Sequence, residues 1–194
     1  MTRETFQNAK RIVVKTGSAL MADGGMARTE WLGRLAADIA DLRARGKEII
    51  LVSSGAVALG RVDLGSPFPA RLDQKQAAAA IGQPRLMAAV TGAFAPHHIT
   101  VGQALLTLSD ASMISADCLV LLSDIDGLYT ADPNTDPGAT HIPVLTKLSA
   151  DHDAMATGAN VSAGVGSGGM VTKLAAARIA YAAGCSTIIS RGNR

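Results

Sequence analysis

Aromatic residues are scarce in this 194-residue sequence: Phe, Trp and Tyr make up 3% of it, although 48% of its residues are apolar. The core must therefore be built from Ala, Val, Ile and Leu, a composition that suits parallel strands covered by helices on both faces. Cysteine is nearly absent. Cys118 and Cys185 form no Cys-x-x-Cys pair, and both are expected to be reduced core residues. The net charge is only +2 and the basic residues are dispersed, so neither nucleic acid nor an anionic membrane is implied as a partner. No apolar run approaches the length of a membrane span, and the segment Met1-Thr2-Arg3-Glu4-Thr5-Phe6 does not resemble a signal peptide. A cytoplasmic location is the resulting expectation. His97, His98, His141 and His152 lack metal-ligand spacing and are expected on the surface or in loops. Acidic residues are missing after Asp153, whereas Lys173, Arg178, Arg191 and Arg194 follow it. The field at that end is one-sided and positive.

What is present there is Gly166-Ser167-Gly168-Gly169-Met170-Val171-Thr172-Lys173, leading into an alanine-rich stretch. Small residues let a backbone approach a ligand closely, and the start of a helix offers unpaired N–H groups to negative oxygens. The segment is therefore a candidate phosphate cradle, with Lys173 adding a full charge. Gly164, Gly166 and Gly169 satisfy G-x-G-x-x-G, but no strand precedes them and no acidic residue follows at the distance a dinucleotide fingerprint needs. The P-loop pattern also fails, because Leu174 follows Lys173.

Periodicity predicts strands at Arg11–Lys15, Glu48–Val52, Ile99–Leu106, Asp117–Ser123 and Ser186–Ser190. Helices are expected over Thr29–Arg45, Asp73–Phe94 with Pro84 as an interruption, Ser149–Ala156 and Met170–Ala183. Thr130–Pro143, with three prolines, shows no regular period. Alternating strands and helices argue for an α/β fold, a three-layer αβα sandwich with a mostly parallel central sheet. One junction does not fit. About ten residues separate the strand ending near Leu106 from the one starting near Asp117, close to the minimum for a parallel crossover. Either this pair is antiparallel or a stretch of chain is absent.

Ligands of open parallel sheets gather at the carboxyl ends of the strands. Those ends here are Lys15-Thr16-Gly17-Ser18, Ser53-Ser54-Gly55 and Ser123-Asp124, joined by the glycine loop. Two lysines, small hydroxyl residues and accessible N–H groups are the equipment of phosphoryl transfer. Lys15 is either a solvated strand end or a phosphate ligand, and Ser54 either a helix cap or a substrate contact. Asp124-Ile125-Asp126-Gly127 opens like a calcium loop, but its twelfth position is Thr135 rather than Glu, so a turn offering Asp124 to a ligand is expected.

Several segments carry a resemblance to the amino acid kinase family. They are Val14 to Ser18, Leu51 to Arg61, Lys75 to Gln83, Gln103 to Thr107, Asp124 to Pro133 and Gly166 to Lys173. The second and third resemble most closely those members that phosphorylate the side-chain carboxylate of L-glutamate, the first step of proline synthesis. The resemblance implies ATP and Mg²⁺ as cofactors and a homo-oligomer. It assigns ATP to Lys15, Gly17, Ser123, Asp124, Ser167, Gly168, Gly169, Met170, Val171, Thr172 and Lys173, with Lys15 and Lys173 catalytic, and glutamate to Ser54 and Gly55. Residues 1–194 then form one amino acid kinase domain with an apparent gap near 108–113. Roughly 60 residues that in these enzymes bind glutamate have no match there, and no RNA-binding-like PUA domain follows.

Overall fold

Two distant stretches of sequence, Met1–Lys15 and Ser115–Arg194, make one compact unit, and the stretch between them, Thr16–Ile114, makes a second. The computed structural model describes residues 3–65, 71–105, 114–157 and 169–192. The first half of the chain holds α1 (Arg3–Asn8), β1 (Arg11–Thr16), α2 (Ser18–Met21), β2 (Ala22–Asp23), β3 (Met26–Ala27), α3 (Thr29–Ala44), β4 (Glu48–Ser53), α4 (Ala56–Gly60) and α5 (Leu72–Phe94). After it come β5 (Cys118–Ser123), β6 (Leu128–Tyr129), β7 (His141–Ile142), α6 (Ala150–Thr157), α7 (Met170–Ala182) and β8 (Ser186–Arg191). The alternation read from the sequence is therefore present. No helix among the described residues is long and apolar enough to cross a membrane.

In the first unit the strand order is β1-β5-β8, and β5 runs parallel to β8 in the register Cys118↔Ser186 through Ser123↔Arg191. Cys118 is fully buried, as an apolar strand start requires, and burial, then Cys185 and Asp117, pushes its thiol up to about 12. Cys185 is buried too, so both cysteines are core residues. Leu128, Ala156, Met170 and Leu174 form an apolar cluster on which Ile125, Ile142 and Ile189 pack. Beside it, Arg178 on α7 donates to the Asp153 carboxylate of α6 at 2.5 Å and to the Ser149 carbonyl at 3.3 Å.

Asp117 fastens the amino-terminal edge of this sheet. Its Oδ2 accepts from the backbone N–H of Lys10 at 2.8 Å and of Arg11 at 2.7 Å, while its own N–H donates to the Arg11 carbonyl at 2.9 Å. The N–H groups of Arg11 and Lys10 hold the Asp117 carboxyl below its ordinary value against the opposing effect of burial. A depressed folded pKa gives stability that is complete above the unfolded value, near 3.8, and is lost as the pH falls through the folded one. Asp117→Asn is expected to lower the unfolding midpoint at pH 7 and to make its decline on acidification below pH ~4 shallower. An acid profile unchanged by the substitution would contradict the clamp.

In the second unit, α3 buries Trp31, Leu32, Leu35, Ala36 and Ile39 on one face, and the chain leaves it through Gly46 in the left-handed region. Helix α5 buries Ala78, Gly82, Leu86, Val90 and Phe94, one residue every four. That stripe passes Pro84 on the exposed side, so α5 continues through the proline where an interruption was expected. The carbonyl that Pro84 cannot satisfy lies on the same solvent side, and burial on both flanks keeps the helix in one piece.

Two other expectations are corrected. Ile99–Leu105 is not a strand, Leu105 is 84% exposed, and Leu106 lies outside the described residues. A strand persists only when its backbone groups find a ladder, and no described strand pairs with this stretch. Thr130–Pro143 is not wholly irregular. Its strand β7 pairs antiparallel with β6, and Thr130 N–H donates to the Thr140 carbonyl at 3.0 Å. Strands of two residues are too short to leave a period in the sequence.

Candidate active site

Strand β1 carries Lys15 as its penultimate residue, and β5 ends at Ser123 with Asp124 beginning the next turn. Ser123 is buried, and its Oγ donates to Asp124 Oδ1 at 2.8 Å. Burial, the largest single influence, pushes the Asp124 carboxyl up. The Ser123 hydroxyl, the N–H groups of Asp124 and Ile125, and the charge of Lys173 together outweigh it and leave the carboxyl below its usual value. Asp124 is thus held as an anion at a strand end.

Lys173 lies in the first turn of α7, with its N–H on the Gly169 carbonyl at 3.2 Å, and Thr172 Oγ1 donates to the same carbonyl at 2.8 Å. Burial lowers the Lys173 pKa most, Asp124 raises it and Lys15 lowers it further. Lys15, Asp124 and Lys173 therefore share one electrostatic neighbourhood in the first unit. Met170 turns into the apolar cluster while Val171 is half exposed. Ser167 and Gly168 lie outside the described residues.

A small apolar pocket adjoins this neighbourhood, lined by Ile125, Leu128, Tyr129, Pro133, Met155 and Met170. Tyr129 donates its hydroxyl to Asp126 Oδ1 at 2.9 Å, and its ring lies 5.0 Å from that of His141 at a tilt of 56°. Of these residues only Met155 lies outside the segments singled out in the sequence, although Ile125, Leu128, Tyr129 and Pro133 were given no site role there. Aliphatic side chains on a turn, a loop and two helices have no shared spacing, and only the fold collects them. Among the described residues no three His, Cys, Asp or Glu side chains form a metal-sized group. His152 lies within α6 rather than in a loop, and its Nδ1 accepts from the Ser149 N–H at 3.0 Å. His141 is in β7.

In the second unit, Gly17 precedes α2, and Ser54 follows β4 with Gly55 at φ 154, a backbone that only glycine adopts readily. A Cβ on Gly55 would also lie 3.1 Å from the Met21 Cβ. Ser54 is not a helix cap. Its Oγ donates to the Thr16 carbonyl at 3.1 Å, and α4 has no side-chain cap bond. Thr16, fully buried, donates in turn to the Val52 carbonyl at 3.4 Å. The hydroxyl proton of Ser54 is thus engaged, which leaves its oxygen lone pairs as acceptors. Ser53 Oγ is buried without a partner among the described residues; the sequence named it only as part of the strand end Ser53-Ser54-Gly55 and gave it no role.

Residues 10–111 and 109–190 match the amino acid kinase family. A glutamate 5-kinase of Caulobacter vibrioides (strain NA1000 / CB15N) is 46% identical over 241 residues, covering 97% of this chain and 64% of its own length. One from Paramagnetospirillum magneticum is 46% identical over 235 residues, covering 95% and 63%. The chain thus spans a little under two thirds of the length of these relatives. Since 97% of 194 residues is about 188, some 53 of the 241 aligned positions lie opposite no residue of this chain. Among solved structures, carbamate kinase from Giardia lamblia bound to AMP-PNP matches with a TM-score of 0.60 at 13% identity over 96% of this chain and 93% of its own. An isopentenyl phosphate kinase matches with a TM-score of 0.59 at 15% identity over 95% and 92%. At such identities the likeness is one of fold.

Proposed function

Because the chain belongs to the amino acid kinase family, we propose that it transfers the γ-phosphoryl group of ATP to the side-chain carboxylate of L-glutamate, giving L-glutamyl 5-phosphate and ADP. The observation that carries this reading is the shared field of Lys15, Asp124 and Lys173 at the carboxyl ends of parallel strands. A glutamate oxygen forms the new bond to phosphorus as the bond to the ADP oxygen breaks, and the moving group keeps its charge on three equatorial oxygens. Lys15 and Lys173 offset that charge. Ser123 and Asp124 orient the nucleotide, Gly17 and the segment from Ser167 to Thr172 bind its phosphates, and the apolar surface of Ile125, Tyr129 and Met170 offers a face for the base. Ser54, with its lone pairs free, and Gly55 hold the amino acid. Ionised Asp124 is the carboxylate suited to Mg²⁺, which binds through one or two carboxylates plus substrate phosphates and so needs no cage of protein ligands. When bound, the ion neutralises phosphate charge.

A cytoplasmic location and a homo-oligomer belong to the same proposal, and Ile179 and Tyr181, both largely exposed on α7, offer apolar surface for assembly. The unmatched positions are proposed to fall near residues 108–113, where the two family matches meet and overlap. They favour one alternative reading, a nucleotide sensor without catalysis. ADP release that depends on glutamate is the expected result for the purified chain. Turnover only with acetylglutamate, aspartate or UMP would move the protein to another branch of the family, and nucleotide binding without any turnover would favour the sensor. Intact mass separates the causes: about 19.8 kDa means that the internal segment is deleted.

A further inference from the structure

Arg191 ends β8 and is the register partner of Ser123, and the next residue, Gly192, donates its N–H to the Ser123 carbonyl at 2.7 Å. The backbone of Arg191 is thereby fixed at the same carboxyl edge as Asp124. Arg178 is committed to a carboxylate of its own unit, but exposed Arg191 makes no ion pair among the described residues. Its charge reaches the bonded pair Asp126 and Tyr129, and Tyr129 also lines the apolar pocket. Met170 lines that pocket as well, and Lys173 follows three residues later on the same helix, a rise of ~4.5 Å. Arg191 and Lys15 thus lie at the carboxyl ends of strands in one sheet, with Asp124, whose field Lys173 shares, following the strand between them.

We propose that Arg191 binds the phosphate nearest the base, the α-phosphate of an adenine nucleotide, an inference that rests on the nucleotide reading above. A base laid on the apolar surface at Tyr129 and Met170, with distal phosphates at the two lysines, leaves the first phosphate beside Asp126, where its repulsion must be offset. Arg191 is the cation placed to do so, and its planar fork suits two phosphate oxygens at once.

Binding of adenosine, AMP, ADP and ATP to the full chain and to Arg191→Gln, measured by calorimetry, tests this. All three phosphorylated ligands are expected to lose about tenfold in affinity while adenosine is unchanged, since a charge-assisted contact is worth ~1.5 kcal/mol. Arg191→Lys should recover part of the loss, and the unfolding midpoint should not move. Unchanged affinity for AMP, a loss confined to ATP, or an equal loss for adenosine would each overturn the assignment. If the parent chain binds no adenine nucleotide, the nucleotide reading falls and this inference with it; if the parent binds and the variant matches it, only this inference falls.

Discussion

Lys173→Met is expected to cut glutamate-dependent ATP turnover by about 10²–10³-fold, the loss typical for removal of one group that stabilises developing charge. The same change should leave the fold intact and raise the unfolding midpoint. Lys173 is lowered from the ordinary lysine value chiefly by burial, so its charged form is less stable in the free protein than in the unfolded chain. That cost is present at all pH values below the folded pKa and is relieved as the pH rises through it toward 10.5. The stability advantage of the variant should therefore shrink at alkaline pH. Kinetics at saturating ATP and glutamate, with thermal unfolding followed by circular dichroism, check both halves. Turnover within threefold of the parent would remove Lys173 from the chemistry, and a variant less stable than the parent would show that the charge serves the fold instead.

Gly82→Ala should unfold the second unit or destabilise it by about 3 kcal/mol. Helices α4 and α5 touch through glycine on both sides: a Cβ on Gly82 would run into the Ala56 carbonyl and lie 2.7 Å from the Gly60 nitrogen, and one on Gly60 would meet the Ala78 carbonyl. Backbone cannot swing aside as a side-chain tip can, so the helices must separate. Gly92 supplies the internal comparison. It lies in the same helix with nothing within 4 Å of a Cβ, and Gly92→Ala should stabilise by ~1 kcal/mol through helix propensity alone. The only tryptophan, Trp31, is buried in α3 of this unit and reports its unfolding by fluorescence. Equal midpoints for the two variants would mean that the close approach does not hold in solution. Because α4 starts directly after Ser54 and Gly55, Gly82→Ala should also disturb the proposed glutamate contact before it unfolds the chain.

The strands that carry Lys15, Ser53 and Ser123 were legible because each is an apolar run stopped by small polar residues. The role of Ser54 was not. A serine before a helix start usually caps it, and only the paired strand ends show its hydroxyl turned to the Thr16 carbonyl. The pairing of Gly60 with Gly82 was equally hidden, since each reads as an ordinary small residue in a helical stretch and the contact exists only once the two helices cross. Apolar patterning misleads in the opposite direction at Ile99–Leu105, where it suggests a strand but no ladder receives one. Arg191 looked like one more basic residue in a positive stretch until the register with Ser123 set it at the carboxyl edge of the sheet.

The bonds from Asp117 to Lys10 and Arg11 span 107 and 106 residues of chain. Of the residues between them, all but 12–15, 115 and 116 belong to the second unit. A ribosome therefore delivers β1 long before β5, its sheet neighbour, exists, while α3, α4 and α5 can already fold on one another as they emerge. Until β5 arrives, β1 is an apolar strand with an unpaired edge, and closing so long a loop is slow. The second unit is the natural scaffold of synthesis, and the first, with its lysines and Asp124, is completed only at the end. Translation stalled anywhere before Asp117 would release a chain with Lys15 in place and no Asp124 to join it.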